Sequence, residues 1–139
     1  MIYDLLTLED PTPDDRTAIL APLVDFNLRN AAPPNLRPVA ILLKDQDGNT
    51  TGGLWGKSIY DWLFVELLAV PEAARGQGVG AALMRRAEEI AIERGCIGIW
   101  LDTFAFQAQG FYEKLGYSVF GQLDDHPKGS VRYFLSKRL

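Results

Sequence analysis

The sequence predicts an α/β protein built on a mixed β-sheet, and three observations carry that reading. Trp62-Leu-Phe-Val-Glu-Leu-Leu-Ala-Val70 is almost continuously apolar, as expected of a central strand covered on both faces. A glycine-rich turn follows it, and then Val79, Leu83, Ala87, Ile90 and Ala91 recur with the 3.6-residue period of an amphipathic helix. Segments with strand patterning lie on both sides of this strand–turn–helix unit. The length of 139 residues fits one domain, expected to span residues 1–139.

The elements follow in order. Ile2–Leu8 reads as a first strand. Asp14 and Asp15, after Pro13, open a helix with Ile19, Leu23, Val24 and Phe26 on one side. Pro22 inside that pattern predicts a kink or two short helices. Pro33 and Pro34 break the next stretch into a loop. Val39–Lys44 and Thr50–Ser58 form a hairpin whose Asp47-Gly48 suits a turn with positive φ. The apolar strand over Asp61–Val70 contains one charge, Glu66, and a buried carboxylate is costly, so this one needs a reason. Gly78–Arg94 is the clearest helix, ended by Gly95. Cys96–Asp102 is a strand, Ala108–Leu115 a short helix closed by Gly116, and Tyr117–Gln122 and Val131–Ser136 are two last strands. Trp62, Phe64, Trp100 and Val131–Leu135 supply apolar surface whose default use is core. The pattern holds no internal repeat and no linker.

Composition narrows the function. Eighteen Asp+Glu against fourteen Lys+Arg leave a net charge of −4, which argues against a general nucleic-acid binder. No apolar run reaches the roughly 18–20 residues of a membrane span. Cys96 is the only cysteine, so neither an internal disulfide nor a cysteine zinc cage can form, and no metal is expected. A small buried hydrophobe is the ordinary use of such a thiol. Met-Ile-Tyr-Asp-Leu-Leu lacks the basic and apolar blocks of a signal peptide, which predicts a cytoplasmic protein.

Arg75-Gly-Gln-Gly-Val-Gly80 stands between the central strand and the long helix. Glycines let backbone approach a ligand closely, and the free N–H groups of a helix start attract phosphate oxygens. Arg75 adds a charged fork suited to pyrophosphate. A Walker A string is absent. Gly76-Gln-Gly78-Val-Gly80-Ala81 does satisfy a dinucleotide fingerprint, with Asp102 as the ribose acid. Against that alternative, Pro71–Arg75 separates strand from glycines, and too little chain follows Asp102 for a doubly wound sheet.

The segment resembles the Arg/Gln-x-x-Gly-x-Gly/Ala acyl-CoA signature of the GNAT superfamily of N-acetyltransferases. Leu68-Ala-Val70 upstream and Phe111-Tyr-Glu-Lys-Leu-Gly-Tyr117 downstream extend the match. The resemblance implies a GNAT-type mixed central sheet of about six to seven strands flanked by helices. It implies transfer of an acetyl group from acetyl-CoA, as co-substrate, to a primary amine of a small molecule or peptide. By the same resemblance the backbone N–H groups of Arg75, Gly76, Gln77, Gly78, Val79 and Gly80 hold the pyrophosphate. Leu68, Ala69 and Val70 pair with the pantetheine arm between two splayed parallel strands, and an N–H near Leu68 polarises the thioester carbonyl. Tyr112 falls where many members protonate the departing thiolate, although its spacing with Ala108, Phe111 and Leu115 equally suits a core tyrosine. Glu66 falls where members often place a general base, and could equally be a salt-bridged structural glutamate. The family commonly carries an asparagine where this chain has Ala105, so that contact is absent or passes to Gln107 or Gln109. Phe104 and Phe106 are then candidates for the wall of the acceptor pocket. Asp124, Asp125 and His126 form a loop that could be a metal or substrate site, or a plain solvated turn. Six acids against two arginines in residues 1–31 favour a cationic acceptor. The resemblance suggests a homodimer. A non-catalytic acyl-CoA-binding module and a dinucleotide-binding domain are the alternatives.

Overall fold

In the computed structural model, which describes residues 1–139, the chain is organised as two units, Met1–Pro33 and Pro34–Leu139. In the first unit, residues 2–8 form no strand, contrary to the sequence expectation. Strand preference is a preference for a paired, half-buried surface, and unpaired apolar residues do not satisfy it. Helix α1 (Pro13–Asn30) starts at a complete capping box. The Thr12 N–H donates to Asp15 Oδ2 at 2.8 Å, and the Asp15 N–H donates to Thr12 Oγ1 at 3.4 Å. Pro22 lies inside one continuous helix rather than between two short ones. More than two helical turns on each side keep their own hydrogen bonds, which outweighs the single bond the proline removes.

The second unit holds β1 (Arg37–Lys44), β2 (Thr50–Ile59), β3 (Trp62–Ala69), α2 (Val79–Glu93), β4 (Gly98–Phe104), α3 (Gln109–Lys114), β5 (Ser118–Asp124) and β6 (Val131–Arg138). The six strands form one mixed sheet in the order β1-β2-β3-β4-β6-β5. Only β3 and β4 run parallel, joined by the crossover through α2. The β1–β2 turn is built by Asp45, whose Oδ1 accepts from the N–H groups of Asp47 and Asn49, both at 2.9 Å. Gly48 supplies the positive φ of 81°.

The core lies on one face of the sheet. Leu54, Leu63, Val65, Ile99, Leu101 and Leu135 meet Met84, Ala87 and Ala91 of α2, together with Tyr112 and Tyr117. Arg94 fastens the end of α2 to the start of β1, donating to the carbonyls of Arg37 (2.8 Å) and Pro38 (3.1 Å) and to Ser58 Oγ (3.0 Å). Trp62, Phe64 and Trp100 are not in this core. They alternate onto the opposite face, half-buried, where Phe64 and Trp100 stack with ring centroids 4.1 Å apart. No helix is long and apolar enough to cross a membrane.

Gly98 begins β4 under a double constraint. A side-chain carbon there would stand 2.6 Å from the Trp62 ring and 2.5 Å from the carbonyl oxygen of Lys137. The carbonyl belongs to the sheet and cannot step aside. Gly98→Ala is therefore expected to cost about 2–3 kcal/mol, the upper part of the overpacking range. Urea denaturation would show a lower midpoint, and an unchanged midpoint would contradict this packing.

Candidate active site

The site forms where the parallel strands part. Their pairing runs from Trp62↔Gly98 to Val65↔Leu101 and stops there. On its other edge β3 stays paired with β2 through Leu54↔Leu68 and Gly53↔Ala69. Beyond Val65, then, the β4-facing backbone groups of β3 lack a strand partner, and Leu68 and Ala69 border an open fork. The cause is local. The β2–β3 register shifts between Trp55 and Gly56, so Glu66 is the extra residue of a bulge. The bulge reverses the side-chain alternation: Val65 and Leu68 both pack on the core, while Leu67 is turned out.

Glu66 is therefore exposed, not the buried carboxylate that the apolar run predicts. The bulge turns it out, so it needs no partner inside the sheet.

Past Val70 a single 3₁₀ turn (Glu72–Ala74) leads into the glycine turn. Gly76 and Gly78 take positive φ, 76° and 75°, and a side chain at either would meet no atom within 4 Å. Both conformation and space thus keep backbone exposed along this turn. Gly80 differs. A side-chain carbon there would lie 3.1 Å from the Phe111 ring, so its hydrogen makes room for α3. The Gln77 amide donates to Ala73 O at 3.1 Å and ties the turn to the 3₁₀ segment.

Helix α2 opens at Gly78 with no side-chain cap and no acidic residue in its first turn, unlike the fully capped α1. Its first N–H groups, those of Val79, Gly80 and Ala81, have no carbonyl partner within the helix, and the dipole places partial positive charge there. Arg75 is exposed beside them, outside every ion pair of the protein. The arrangement fits a multiply charged anion.

Tyr112 sits on α3, buried with 7% exposure, edge-on to Phe111 and Tyr117. Burial, and secondarily the Asp102 charge, push its hydroxyl up to about 12. It therefore remains a neutral phenol across the physiological range. Gln107, a candidate replacement for the missing asparagine, uses its oxygen locally. It accepts from the Phe104 N–H (2.9 Å) and Thr103 Oγ1 (3.2 Å), closing the end of β4.

Sequence reasoning assigned Asp102 only to a ribose. In the structure it pairs with Arg132 of β6, the residue that reasoning missed. Arg132 Nη2 and Nε lie 2.7 and 3.0 Å from the same oxygen, Oδ1. The guanidinium lies over the rings of Phe104 and Phe134, 5.5 and 5.4 Å from their centroids. Phe104 stacks on Phe106 and meets His126 edge-on. Asp124 and Asp125 do not join His126 in a metal-binding group. Asp124 accepts from Gln122 and Asp125 from the Gly129 N–H, so both serve the β5–β6 turn. Cys96 is half-buried and its thiol is pushed up by burial, which suits packing rather than nucleophilic work.

Comparison with known proteins agrees with this geometry. The family model for the acetyltransferase (GNAT) family matches residues 1–117. Acetyltransferase Atu2258 of Agrobacterium fabrum is 40% identical over 121 residues, 87% of this chain and 88% of its own. The blasticidin-S acetyltransferase of Streptomyces morookaense is 39% identical over 127 residues, 91% and 92% of the two chains. The crystal structure of an acetyltransferase from Bacillus cereus superposes with a TM-score of 0.85 at 34% identity, covering 96% of this chain and 98% of that one. An uncapped helix start behind a glycine turn, a fork between parallel strands and these relatives converge: the chain belongs to the GNAT acetyltransferase family.

Proposed function

We propose that the chain, acting as one domain over residues 1–139, transfers the acetyl group of acetyl-CoA to a primary amine. The observation that carries this reading is the uncapped, glycine-led start of α2 beside the open β3–β4 fork. The N–H groups from Arg75 to Gly80, with the Arg75 guanidinium, hold the pyrophosphate. The stretch Leu68, Ala69 and Val70 offers its β4-facing backbone groups to the pantetheine amides, as a sheet edge accepts another strand. The thioester then lies at the head of the fork, its carbonyl polarised by an N–H near Leu68.

In the reaction the amine nitrogen bonds to the thioester carbon and the carbon–sulfur bond breaks. Glu66, exposed at the fork, takes the proton leaving nitrogen, directly or through water. Tyr112 donates to the departing thiolate and is later reprotonated from solvent. A phenol held this high donates a hydrogen bond first. The proton follows as the carbon–sulfur bond breaks and negative charge gathers on sulfur.

The relative named for blasticidin S supports a small-molecule acceptor. The test is release of CoA thiol from acetyl-CoA with blasticidin S, spermidine and a lysine-containing peptide. Amine-dependent release, one thiol per acetylated amine, is expected. Bound acetyl-CoA with no thiol release for any amine would instead mark a non-catalytic acyl-CoA-binding module.

A further inference from the structure

We infer that Asp102 holds the amine of a cationic acceptor at the head of the fork, with Arg132 as its positioning residue. The inference rests on the reading of this fork as the acetyl-transfer site and adds the residue that selects the substrate's charge.

Register places Asp102. The last β3–β4 pair is Val65↔Leu101, so Asp102 is the first β4 residue beyond the point of parting. Alternation gives its side. Ile99 and Leu101 pack in the core with α2, and Asp102 falls on the other face with Trp100 and Phe104. An acceptor bound there comes to the fork from the face opposite the helix that receives the pyrophosphate, so the two substrates do not compete for space.

The ion pair is itself unusual in form. An arginine–carboxylate pair made for stability commonly uses two parallel bonds to two oxygens. Arg132 instead brings both nitrogens to Oδ1, and no protein hydrogen bond engages Oδ2. Phe104 and Phe134 both contact the guanidinium, which helps hold the carboxylate while one oxygen stays available. The Asp102 side chain keeps 18% exposure, enough to be reached.

Two further observations concern the same spot. His126, edge-on to Phe104, carries a buried Nδ1 with no hydrogen-bond partner, so the β5–β6 loop brings an unsatisfied polar atom to this layer. Glu66 and Asp102 begin the two arms of the fork, and Arg132 is the one ion-pair partner that either has. The remaining negative charge suits an ammonium group, not a carboxylate or phosphate.

Initial rates with spermidine at saturating acetyl-CoA test the assignment, alongside calorimetry of acetyl-CoA alone. Asp102→Asn preserves size and is expected to raise the amine KM about ten- to a hundredfold, the effect of losing a charge-assisted hydrogen bond. Its kcat changes far less, and its acetyl-CoA affinity stays within about twofold of the native value. Asp102→Glu restores part of the KM, and Arg132→Lys, which keeps charge but loses the fork, raises KM by a smaller factor. An unchanged amine KM in Asp102→Asn would overturn the inference. So would a native protein that binds acetyl-CoA yet shows no saturable dependence on spermidine, blasticidin S or the lysine peptide. Failure to bind acetyl-CoA in the native protein would instead overturn the underlying reading of the fork.

Discussion

Tyr112→Phe is expected to lower kcat about a hundredfold while leaving acetyl-CoA affinity unchanged, the effect of removing a positioned acid from the thiolate. The substitution deletes one oxygen and keeps the ring, so the edge-on contacts to Phe111 and Tyr117, at 5.0 and 6.2 Å, survive. Stability supplies a second, independent reading of the same hydroxyl. Its native pKa of about 12 lies above the value near 10 of an exposed phenol. Between those values the unfolded chain gives up a proton that the folded chain keeps. The contribution is thus fully present below pH 10 and is lost as pH rises toward 12, by roughly 2–3 kcal/mol. Tyr112→Phe removes that share of the alkaline loss. Stopped-flow thiol release and urea melts from pH 9 to 12 check both parts. A variant with native kcat would remove Tyr112 from the chemistry and leave it a core residue.

Gly78→Asp is expected to weaken acetyl-CoA binding about a hundredfold or more with little change in stability. Gly78 has φ 75° and open space where a side chain would go, and aspartate is among the residues that tolerate this conformation. The new carboxylate would stand at the start of α2, which has no side-chain cap. There it meets the favourable end of the helix dipole, which offsets part of the strain of a side chain at positive φ, and it repels the pyrophosphate. Binding therefore falls while folding changes little. Calorimetric titration beside a thermal melt measures both, and a Kd within about threefold of native would remove this turn from the cofactor site.

The sequence carried the parts of the protein that depend on local pattern. The period of Val79, Leu83, Ala87 and Ala91, with glycines at both ends, is enough to set α2, because helix burial and helix ends are decided within the segment. The Arg75–Gly80 turn is legible for the same reason. Features that depend on distant partners were not. Ile2–Leu8 has strand residues and forms no strand. The apolar neighbours of Glu66 predict a buried carboxylate, but its placement follows from the register slip opposite Trp55 and Gly56. At Gly80 the missing side chain also makes room for Phe111, a contact that depends on where α3 packs. Asp102 could be placed at a strand end, while its arginine comes from β6, thirty residues away in the chain. Such pairings are made by the sheet order, which no local pattern encodes.

Titration of the native protein with acetyl-CoA, with NADH as the control ligand, decides whether this fork and turn bind an acyl-CoA. The uncapped helix start, the glycine turn and the open fork predict one acetyl-CoA bound per chain in the micromolar range and no heat from NADH. A folded sample that ignores acetyl-CoA, or that binds NADH in its place, would contradict the account.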